Sequence, residues 1–444
     1  MKKVFSLIKS QAETSPNKSA VLFIENFEYF SLGDQVSDYH KKAMSQLLKE
    51  MELAEKQDLN ILVMGSLASG ENIGESTLKS FKFVDKIEVE SIDRNTPARQ
   101  EIIQNYLDKN NIVLDTANDT GKAELLKMFA ETTEGFPFVE LMSLMNKTKN
   151  LIKERGHEKL NKSDFVEAFL QVISGRPSSV QMSEHSKNIV TSHECGHALN
   201  ALIMYNLAKK QNTPWHLPEK VNFMTLDPRG NFGGAVFYKE SENQEWSFEK
   251  VFADLVHAYG GHSCEKVLYN QDGSWGITSD LEQATDKAYA AAGVMAQGVH
   301  YGKKSLNGAP YISDSAQEAV EKDVNVFTNN AVLASDLIVK THKGFIEKFT
   351  QKYSKLVGTG DCIIMSETFE NELNSWKTSQ TKAKQKEFEK LDAIILGIIA
   401  LSKKGEIIDV VGNLAKSKTS KANIAALKSK VMEFATSTKM LKLR

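Results

Sequence analysis

The sequence predicts an α/β segment at the amino end, followed by a long, mainly α-helical region that contains one small β-hairpin. Two short, fully apolar runs, VLFI at 21–24 and ILVM at 61–64, are typical of buried parallel strands, and the segment between them has helical patterning. From residue 96 onward the hydrophobic spacing is helical almost throughout, apart from a hairpin around DPRGNFGG at 227–234. Predicted strands are therefore confined to two places in the chain.

The amino-terminal half contains one further strand candidate and a series of helices. The third strand of the α/β segment is predicted near 87–89, and the stretch from 96 to about 173 is helical. Ser163 is the predicted N-cap of the helix DFVEAFLQVI, because a serine side chain accepts a hydrogen bond from the first turn. The sequence SGRPSS at 174–179 then predicts a linker.

The second half begins with a helix for which Ser183 is the predicted N-cap. The hairpin strands are predicted at 221–226 and 234–238. From about 247 to the end the pattern is helical, with breaks predicted at 260–261, 271–274, 305–310 and 358–360. The lysine-rich tail after about 377 has helical charge patterning, which indicates a solvated helix face rather than a nucleic-acid-binding arm.

Composition excludes several classes of protein. The 444 residues carry a formal net charge of −2, with 25% charged residues, so there is no polybasic signature for nucleic acid or for a membrane surface. The three cysteines, Cys195, Cys264 and Cys362, are odd in number and far apart, which fits a reducing compartment and gives no disulfide framework.

No segment of the sequence predicts membrane insertion. The amino terminus lacks an apolar stretch long enough for a signal peptide, and the apolar run at 393–401 has nine residues where a membrane span needs about 20. We expect a cytoplasmic chain without a transmembrane segment, associated with a membrane only through a partner. The tail beyond 377 should be separable, with the run at 393–401 packed on its own body or on a partner.

The segment TSHECGHALNAL at 191–202 carries the chemical signal of the sequence. His193 and His197 lie four residues apart, so a helix places both imidazoles on one face, and Glu194 lies beside them, close enough to hold a water. This is the H-E-x-x-H arrangement of zinc hydrolases. Cys195 is turned about 200° away from His193 on the helix and is predicted to pack in the core.

A catalytic zinc site needs a third protein ligand and an open position for water. Asp280 follows a glycine-rich turn at the start of a long predicted helix, where capping geometry would fix a carboxylate in place. The same position suits an aspartate that only caps the helix. Spacing alone leaves both interpretations open, and it leaves Glu265, Glu282 and Asp286 as rival ligands.

Four motifs occur in order and together resemble the peptidase domain of FtsH-type AAA+ zinc proteases. They are HECGHALNAL at 193–202, KVNFMTLDPRGNFGGAVFY at 220–238, YGGHSCEKVLY at 259–269 and GITSDLEQATDKA at 276–288. The resemblance implies zinc ligands at His193, His197 and Asp280, with Glu194 as the catalytic glutamate. Cys195, His262 and Ser279 depart from the family's usual residues, but none stands at a ligand position. The resemblance extends to about residue 376.

The first 175 residues resemble the latter part of the AAA module of the same family. The stretch at 4–30 is similar to the segment that ends in the Walker B strand, and those at 92–103 and 132–147 are similar to the entry to the helical lid. The Walker A loop, the pore loop and the family's membrane anchors are not matched. The implied parts are a truncated AAA α/β remnant at 1–95, a helical lid at 96–175, a peptidase domain at 181–376 and a lysine-rich helical tail of unknown role at 377–444.

The nucleotide site implied by this resemblance is degraded. The loop GSLASGEN at 65–72 ends in Glu71 and Asn72 where phosphate binding needs Lys and Ser or Thr. The Walker B position has Glu25 and Asn26 instead of aspartate and glutamate. The sensor and arginine-finger positions hold other residues, namely Leu67, Lys79 and Lys82. We expect no ATP binding and a pseudo-ATPase remnant, with a decaying fragment as the other interpretation.

Together the motifs predict a zinc-dependent metalloendopeptidase that cleaves unfolded or loosely folded proteins and peptides. The edge of the first hairpin strand, with Val221, Phe223 and Thr225, is predicted to receive an extended substrate by strand addition. The alternative is a non-autonomous or regulatory subunit that assembles with complete FtsH-type proteases. A hexamer of this chain is the assembly that the resemblance implies, and no nucleic-acid partner is expected.

Overall fold

A computed structural model of the chain describes residues 2–27, 38–57, 59–66, 87, 89, 91–178, 181–211, 217–230, 232–239, 246–271, 275–309, 311–360 and 362–407. The chain divides into two compact units, Met1–Glu90 and Ser91–Arg444. Most described residues are helical. None of the helices in the described ranges is both long and apolar enough to cross a membrane.

The first unit contains α1 (Lys2–Thr14), β1 (Ser19–Ile24), α2 (Asp38–Lys56) and β2 (Asn60–Gly65). The two predicted runs do form parallel strands, paired with Leu22 opposite Val63. Leu22 and Val63 point into a small core with side chains of both helices, such as Phe5 and Leu47.

The prediction that these strands are buried is correct for only one of their two faces. The alternate side chains of β1 and β2 are about half exposed, namely Val21, Phe23, Leu62 and Met64. Because the side-chain period of a strand is two, helices on one face cover only every second residue. The predicted strand at 87–89 falls partly outside the described residues, and Ile87 and Val89 themselves are exposed and lie in no strand.

The second unit begins with a helical layer of four helices and two very short strands. Its elements are α3 (Thr96–Lys109), β3 (Val113–Leu114), α4 (Asp119–Thr132), α5 (Phe138–Arg155), β4 (Lys159–Leu160) and α6 (Lys162–Ser174). Asparagine side chains cap α3, α4 and α6, and the Asn161 side chain accepts the Asp164 backbone N–H at 2.9 Å. The predicted cap of α6 at Ser163 is therefore wrong, because the helix begins at Lys162 and its N-cap is Asn161.

The rest of the second unit surrounds one long helix. Its elements are α7 (Glu184–Lys210), β5 (Lys220–Thr225), β6 (Ala235–Lys239), α8 (Phe248–Ala258), α9 (Gly260–Tyr269), α10 (Thr278–Tyr289), α11 (Asp314–Thr341), α12 (Lys343–Tyr353), β7 (Ile363–Met365), α13 (Ser366–Thr378) and α14 (Lys382–Ser402). Short 3₁₀ turns at Trp275–Ile277 and Ser354–Leu356, and a π-turn at Ala290–Val294, separate some of them. Ser183 caps α7 as predicted, since its side chain accepts the Ser186 N–H at 3.1 Å.

The three-stranded sheet β6-β5-β7 lies between two hydrophobic cores. All its pairs are antiparallel, and the predicted hairpin forms its β5–β6 half. One face packs into the core of the helical layer α3–α6, through Phe223, Phe237, Ile363 and Met365. The other face packs into the core around α7, through Met224, Val236 and Ile364. The sheet is therefore the middle layer of this unit.

Helix α14, in the predicted tail, belongs to the core around α7 and α11. The apolar run at 393–401 is buried against that core, and the Asn330 side chain of α11 donates to Ser402 Oγ and to the Glu406 carbonyl, each at 2.9 Å. The run packs on the chain's own body because its apolar residues recur at helical spacing. The prediction that the tail is separable is therefore wrong for residues up to 407, and residues 408–444 lie outside the described part.

Candidate metal centre

Helix α7 places the two histidines and the glutamate of the motif at its buried centre. His193, Glu194 and His197 are each less than 9% exposed. The Nε2 atoms of the two histidines lie 3.0 Å apart, as expected for side chains one helical turn apart that turn toward the same point. Cys195 points away into the hydrophobic core, where burial raises the pKa of its thiol well above the ordinary value.

Asp280 completes the cluster from a second helix. Its Oδ2 atom is buried and lies 3.2 Å from the Nε2 atom of each histidine. Asp280 stands in the first turn of α10, whose N-cap is Ile277, so it is not the capping residue. Among the described His, Cys, Asp and Glu residues, His193, His197 and Asp280 form the one group that could hold a metal ion.

Each of the two imidazoles makes a hydrogen bond through its Nδ1 atom, and this bond determines whether its Nε2 atom is free to bind a metal. His193 Nδ1 donates to Glu265 Oε1 at 2.9 Å, and His197 Nδ1 donates to the His257 carbonyl at 2.8 Å. In a neutral imidazole the other nitrogen then carries a lone pair. Two lone pairs and a carboxylate oxygen therefore face one another at 3.0 to 3.2 Å, an arrangement that a cation at their centre stabilises.

The spacing of the three atoms fits zinc. Ligand atoms about 2.0–2.1 Å from a tetrahedral zinc ion lie about 3.3 Å from one another. The observed separations of 3.0, 3.2 and 3.2 Å are close to that value. Two imidazoles and one carboxylate also match the donor set of catalytic zinc sites, which keep the fourth position for water or substrate.

The electrostatics of the site favour a cation. Burial alone lowers the pKa of His193, but hydrogen bonds to Asp280 and Glu265 outweigh it and raise that pKa to about 10. For Asp280 burial raises the pKa, and the two histidines more than offset this and lower it. Burial raises the pKa of Glu194, which lies beside the ligands. The same carboxylates that raise the pKa of His193 would also stabilise a divalent ion between the ligands.

Two glycines allow backbone to approach the motif closely. A side chain on Gly261, at the start of α9, would collide with the His193 ring, so only glycine lets the helix carrying Glu265 come this near. A Cβ on Gly234, just before β6, would lie 2.8 Å from Glu194 Cγ and 3.0 Å from its Oε1. The start of β6 therefore lies directly against the glutamate.

The rival ligands are placed differently. Glu265 lies behind His193 and bonds to its Nδ1 atom rather than completing the cluster. Glu282 and Asp286 lie on the exposed face of α10, away from the cluster. Sequence spacing alone does not distinguish these carboxylates, because all of them lie on helices within the same stretch of chain.

The prediction that the strand of Val221, Phe223 and Thr225 offers the substrate edge is wrong. Val221, Phe223 and Thr225 lie on β5, which is the central strand and pairs over 223–225 with β6 on one side and β7 on the other. All three residues are buried, at 3%, 0% and 0% exposure. An extended peptide cannot add to a strand whose two edges are already paired. In the described part of the chain, β6 pairs with β5 alone, so β6 is the edge strand beside Glu194.

The residues that the sequence assigns to a degraded nucleotide site are only partly described. Glu25 and Asn26 are exposed at the carboxyl end of β1, and the Asn26 backbone has a positive φ of 51°. Leu67, Lys79 and Lys82, with the rest of the loop at 67–72, lie outside the described residues.

An H-E-x-x-H helix with a carboxylate from a separate helix as the third ligand defines a metallopeptidase-type metal centre. Residues 180–356 match the sequence profile of peptidase family M41. This region contains the metal cluster, the hairpin, and helices α7 to α12.

Curated relatives extend the match. "ATP-dependent zinc metalloprotease FtsH 1" of Thermoanaerobacter sp. (strain X514) is 28% identical over 253 residues, which cover 56% of this chain and 38% of that protein. "ATP-dependent zinc metalloprotease FtsH" of Thermotoga maritima is 26% identical over 352 residues, 75% of this chain and 54% of the relative. "ATP-dependent zinc metalloprotease FTSH 7, chloroplastic" of Arabidopsis thaliana is 24% identical over 328 residues, 70% and 39% of the two chains.

The resemblance found in the motifs is thereby confirmed: residues 180–356 are a peptidase family M41 domain, and the chain is similar to FtsH-type zinc metalloproteases. Zinc is the cofactor that this domain and these relatives imply. The matched regions span about 39%, 38% and 41% of the length of the first three curated relatives.

Proposed function

We propose that this chain is a zinc-dependent endopeptidase whose ion is held by His193, His197 and Asp280. The convergence of three acceptor atoms on one buried point, with Glu194 beside them, carries the proposal. A zinc ion held by these residues would polarise the scissile carbonyl and would lower the pKa of a water molecule to about 7. Glu194 accepts a proton from the attacking water and delivers it to the leaving amine. Glu265 and the His257 carbonyl hold the two imidazoles in the tautomer that ligation needs.

The substrate of this proposal is an extended peptide segment lying along the outer edge of β6. An edge strand offers unpaired backbone groups to an added strand, and the approach of Gly234 to Glu194 brings the start of that edge to the catalytic carboxylate. Only unfolded or loosely folded proteins and peptides can present such a segment, because the backbone of a folded protein is already paired.

We also propose that residues 1–95 are an inactive AAA-type remnant and that residues 96–175 form a helical lid. Asn26 is an amide at the end of β1 and cannot supply the carboxylate that orients water for ATP hydrolysis. The chain should therefore hydrolyse no ATP. A chain without this chemistry would depend on a complete FtsH-type partner for folded substrates, and this dependence supports the second candidate, a subunit of a mixed assembly. Mixing the chain with a full-length relative and ATP tests this candidate, because cleavage of a folded protein substrate should then increase.

Three variants test the metal centre. His197→Ala should lose both bound zinc and peptide cleavage, since two ligands remain. Glu194→Gln should keep zinc and lose cleavage, because the amide cannot accept the proton. Asp280→Ala should weaken zinc binding. Metal analysis and cleavage of a fluorogenic peptide give both readings. Full activity of Glu194→Gln would refute the mechanism, and unchanged zinc affinity of Asp280→Ala would refute the ligand set.

A further inference from the structure

The sheet that carries the edge strand β6 is held from behind by the helical layer α3–α6. Phe237 of β6 stacks on Phe223 of β5, with ring centroids 4.7 Å apart. Phe169 of α6 meets both rings edge to face, at 6.1 Å from Phe223 and 5.9 Å from Phe237. This face of the hairpin therefore packs into the core of the helical layer, whereas its other face packs into the core around α7.

A buried ion pair joins the same layer to the hairpin turn. Arg229, between β5 and β6, donates through Nη2 to Glu167 Oε2 at 2.6 Å and through Nη1 to Glu167 Oε1 at 3.2 Å. Both side chains are at most 2% exposed. Arg229 Nη1 also donates to the Gly175 carbonyl at 3.3 Å, at the end of α6. A two-pronged pair of this kind fixes orientation as well as distance.

Further contacts hold the two strands themselves. Lys239, the last residue of β6, pairs with Glu131 of α4 at 2.5 Å, and the Asn222 side chain of β5 donates to Thr132 Oγ1 at 2.9 Å. The helical layer therefore contacts the hairpin at its turn, at its middle and at the end of β6. The metal ligands lie on α7 and α10, outside these contacts.

We infer that the helical layer positions the substrate edge, and that Glu167 and Arg229 are positioning residues for cleavage rather than for metal binding. This inference rests on the proposed endopeptidase function. A shift of α6 moves the hairpin turn through the Arg229–Glu167 pair, and the start of β6 against Glu194 moves with it. A displacement of the layer would therefore change substrate alignment while leaving the zinc ligands in place.

The test compares variants of α6 in the full chain. Glu167→Gln leaves the Arg229 charge buried without its partner, so a double variant, Glu167→Leu with Arg229→Met, removes both charges and leaves no unpaired one. Lys162→Ala is the matched control. Lys162 also ties α6 to the rest of the unit, through Glu367, but that pair is 40% and 69% exposed. An exposed pair contributes little, so the control should behave as wild type.

We expect the double variant to bind wild-type amounts of zinc and to lose about tenfold to a hundredfold in kcat/KM on a long peptide, the scale of a misplacement of about 1 Å. A peptide too short to lie along the five residues of β6 should be cleaved at an unchanged rate. Equal losses on both peptides, or no loss on either, would overturn the inference.

Hydrogen exchange tests this inference independently of the proposed endopeptidase function. Backbone amides of 235–239 should exchange faster in the double variant than in Lys162→Ala, while those of α7 around the motif should not change. If the wild type cleaves no peptide, the endopeptidase proposal fails, yet the exchange result still decides whether the helical layer holds β6. Unchanged exchange at 235–239 would overturn the inference even if cleavage were impaired.

Discussion

Removing helix α14 should abolish the folded state of the unit that carries the metal centre. The change is a truncation after Gln380, which deletes α14 and everything beyond it. Helix α14 packs on α11, whose other neighbours include α8 and α9, the helices that supply the His257 carbonyl and Glu265 to the ligands. Loss of α14 therefore exposes a core that continues to the metal site.

The magnitude follows from the side chains that α14 buries. Five large aliphatic residues are 0–8% exposed: Leu391, Ile394, Ile395, Ile398 and Ile399. Burial of one such side chain contributes about 1.5–3 kcal/mol, so the five contribute about 8–15 kcal/mol. The net stability of a folded domain is about 5–15 kcal/mol. The loss is of the same size as the whole stability, and we expect the truncated chain to unfold or aggregate.

Two comparisons make the assay specific. Truncation after Ile407 removes none of the described contacts of α14 and should leave the melting temperature and zinc content unchanged. Ile395→Ala, at a fully buried position, should cost about 2–5 kcal/mol, whereas Lys386→Ala on the exposed face should cost almost nothing. Circular dichroism melts and metal analysis measure both effects. A chain truncated after Gln380 that melts like wild type and keeps its zinc would refute this reasoning.

Other changes give sharper tests of the site itself. Gly261→Ala should displace the His193 ring and lower zinc affinity, measured by competition with a chelator, and unchanged affinity would contradict the packing argument. Glu265→Ala should weaken zinc binding by about 10-fold to 100-fold, because the His193 tautomer loses its partner, and an intact affinity would show that the contact has no such role. The purified chain should release no phosphate from ATP, and Asn26→Glu alone should not restore hydrolysis, so turnover by either protein would overturn the pseudo-ATPase proposal.

Local patterns in the sequence predicted those parts of the structure that depend on one helix or one turn. The spacing of His193 and His197 predicts a shared face because a helix repeats every 3.6 residues, and the structure has that face. The Ser183 cap and the hairpin around 227–234 are set by residues only a few positions apart. Such features need no knowledge of the rest of the fold.

Features that depend on distant segments were not predictable in the same way. The three residues of β7, at Ile363–Met365, are too short to give a strand signal, yet they turn β5 into a central strand and move the open edge to β6. The sequence does not distinguish Glu265 from the many other carboxylates on predicted helices, because its contact with His193 exists only in the folded chain. The glycine pair in YGGH at 259–262 was a signal for this close approach, because adjacent glycines inside a helical stretch indicate a backbone contact.

Most contacts that orient the substrate edge differ from those that orient the metal ligands, although Tyr238 of β6 stacks on His257, with ring centroids 4.7 Å apart. The ligands are oriented by Glu265 and the His257 carbonyl, both from helices that pack on α7. The edge strand is oriented by Phe169, Glu167 and other residues of the helical layer, which touch the opposite face of the sheet. A ligand or partner that displaces the helical layer would therefore change which peptides are aligned with Glu194 without releasing zinc. Conversely, loss of zinc would leave the contacts between the β5–β6 hairpin and the helical layer in place.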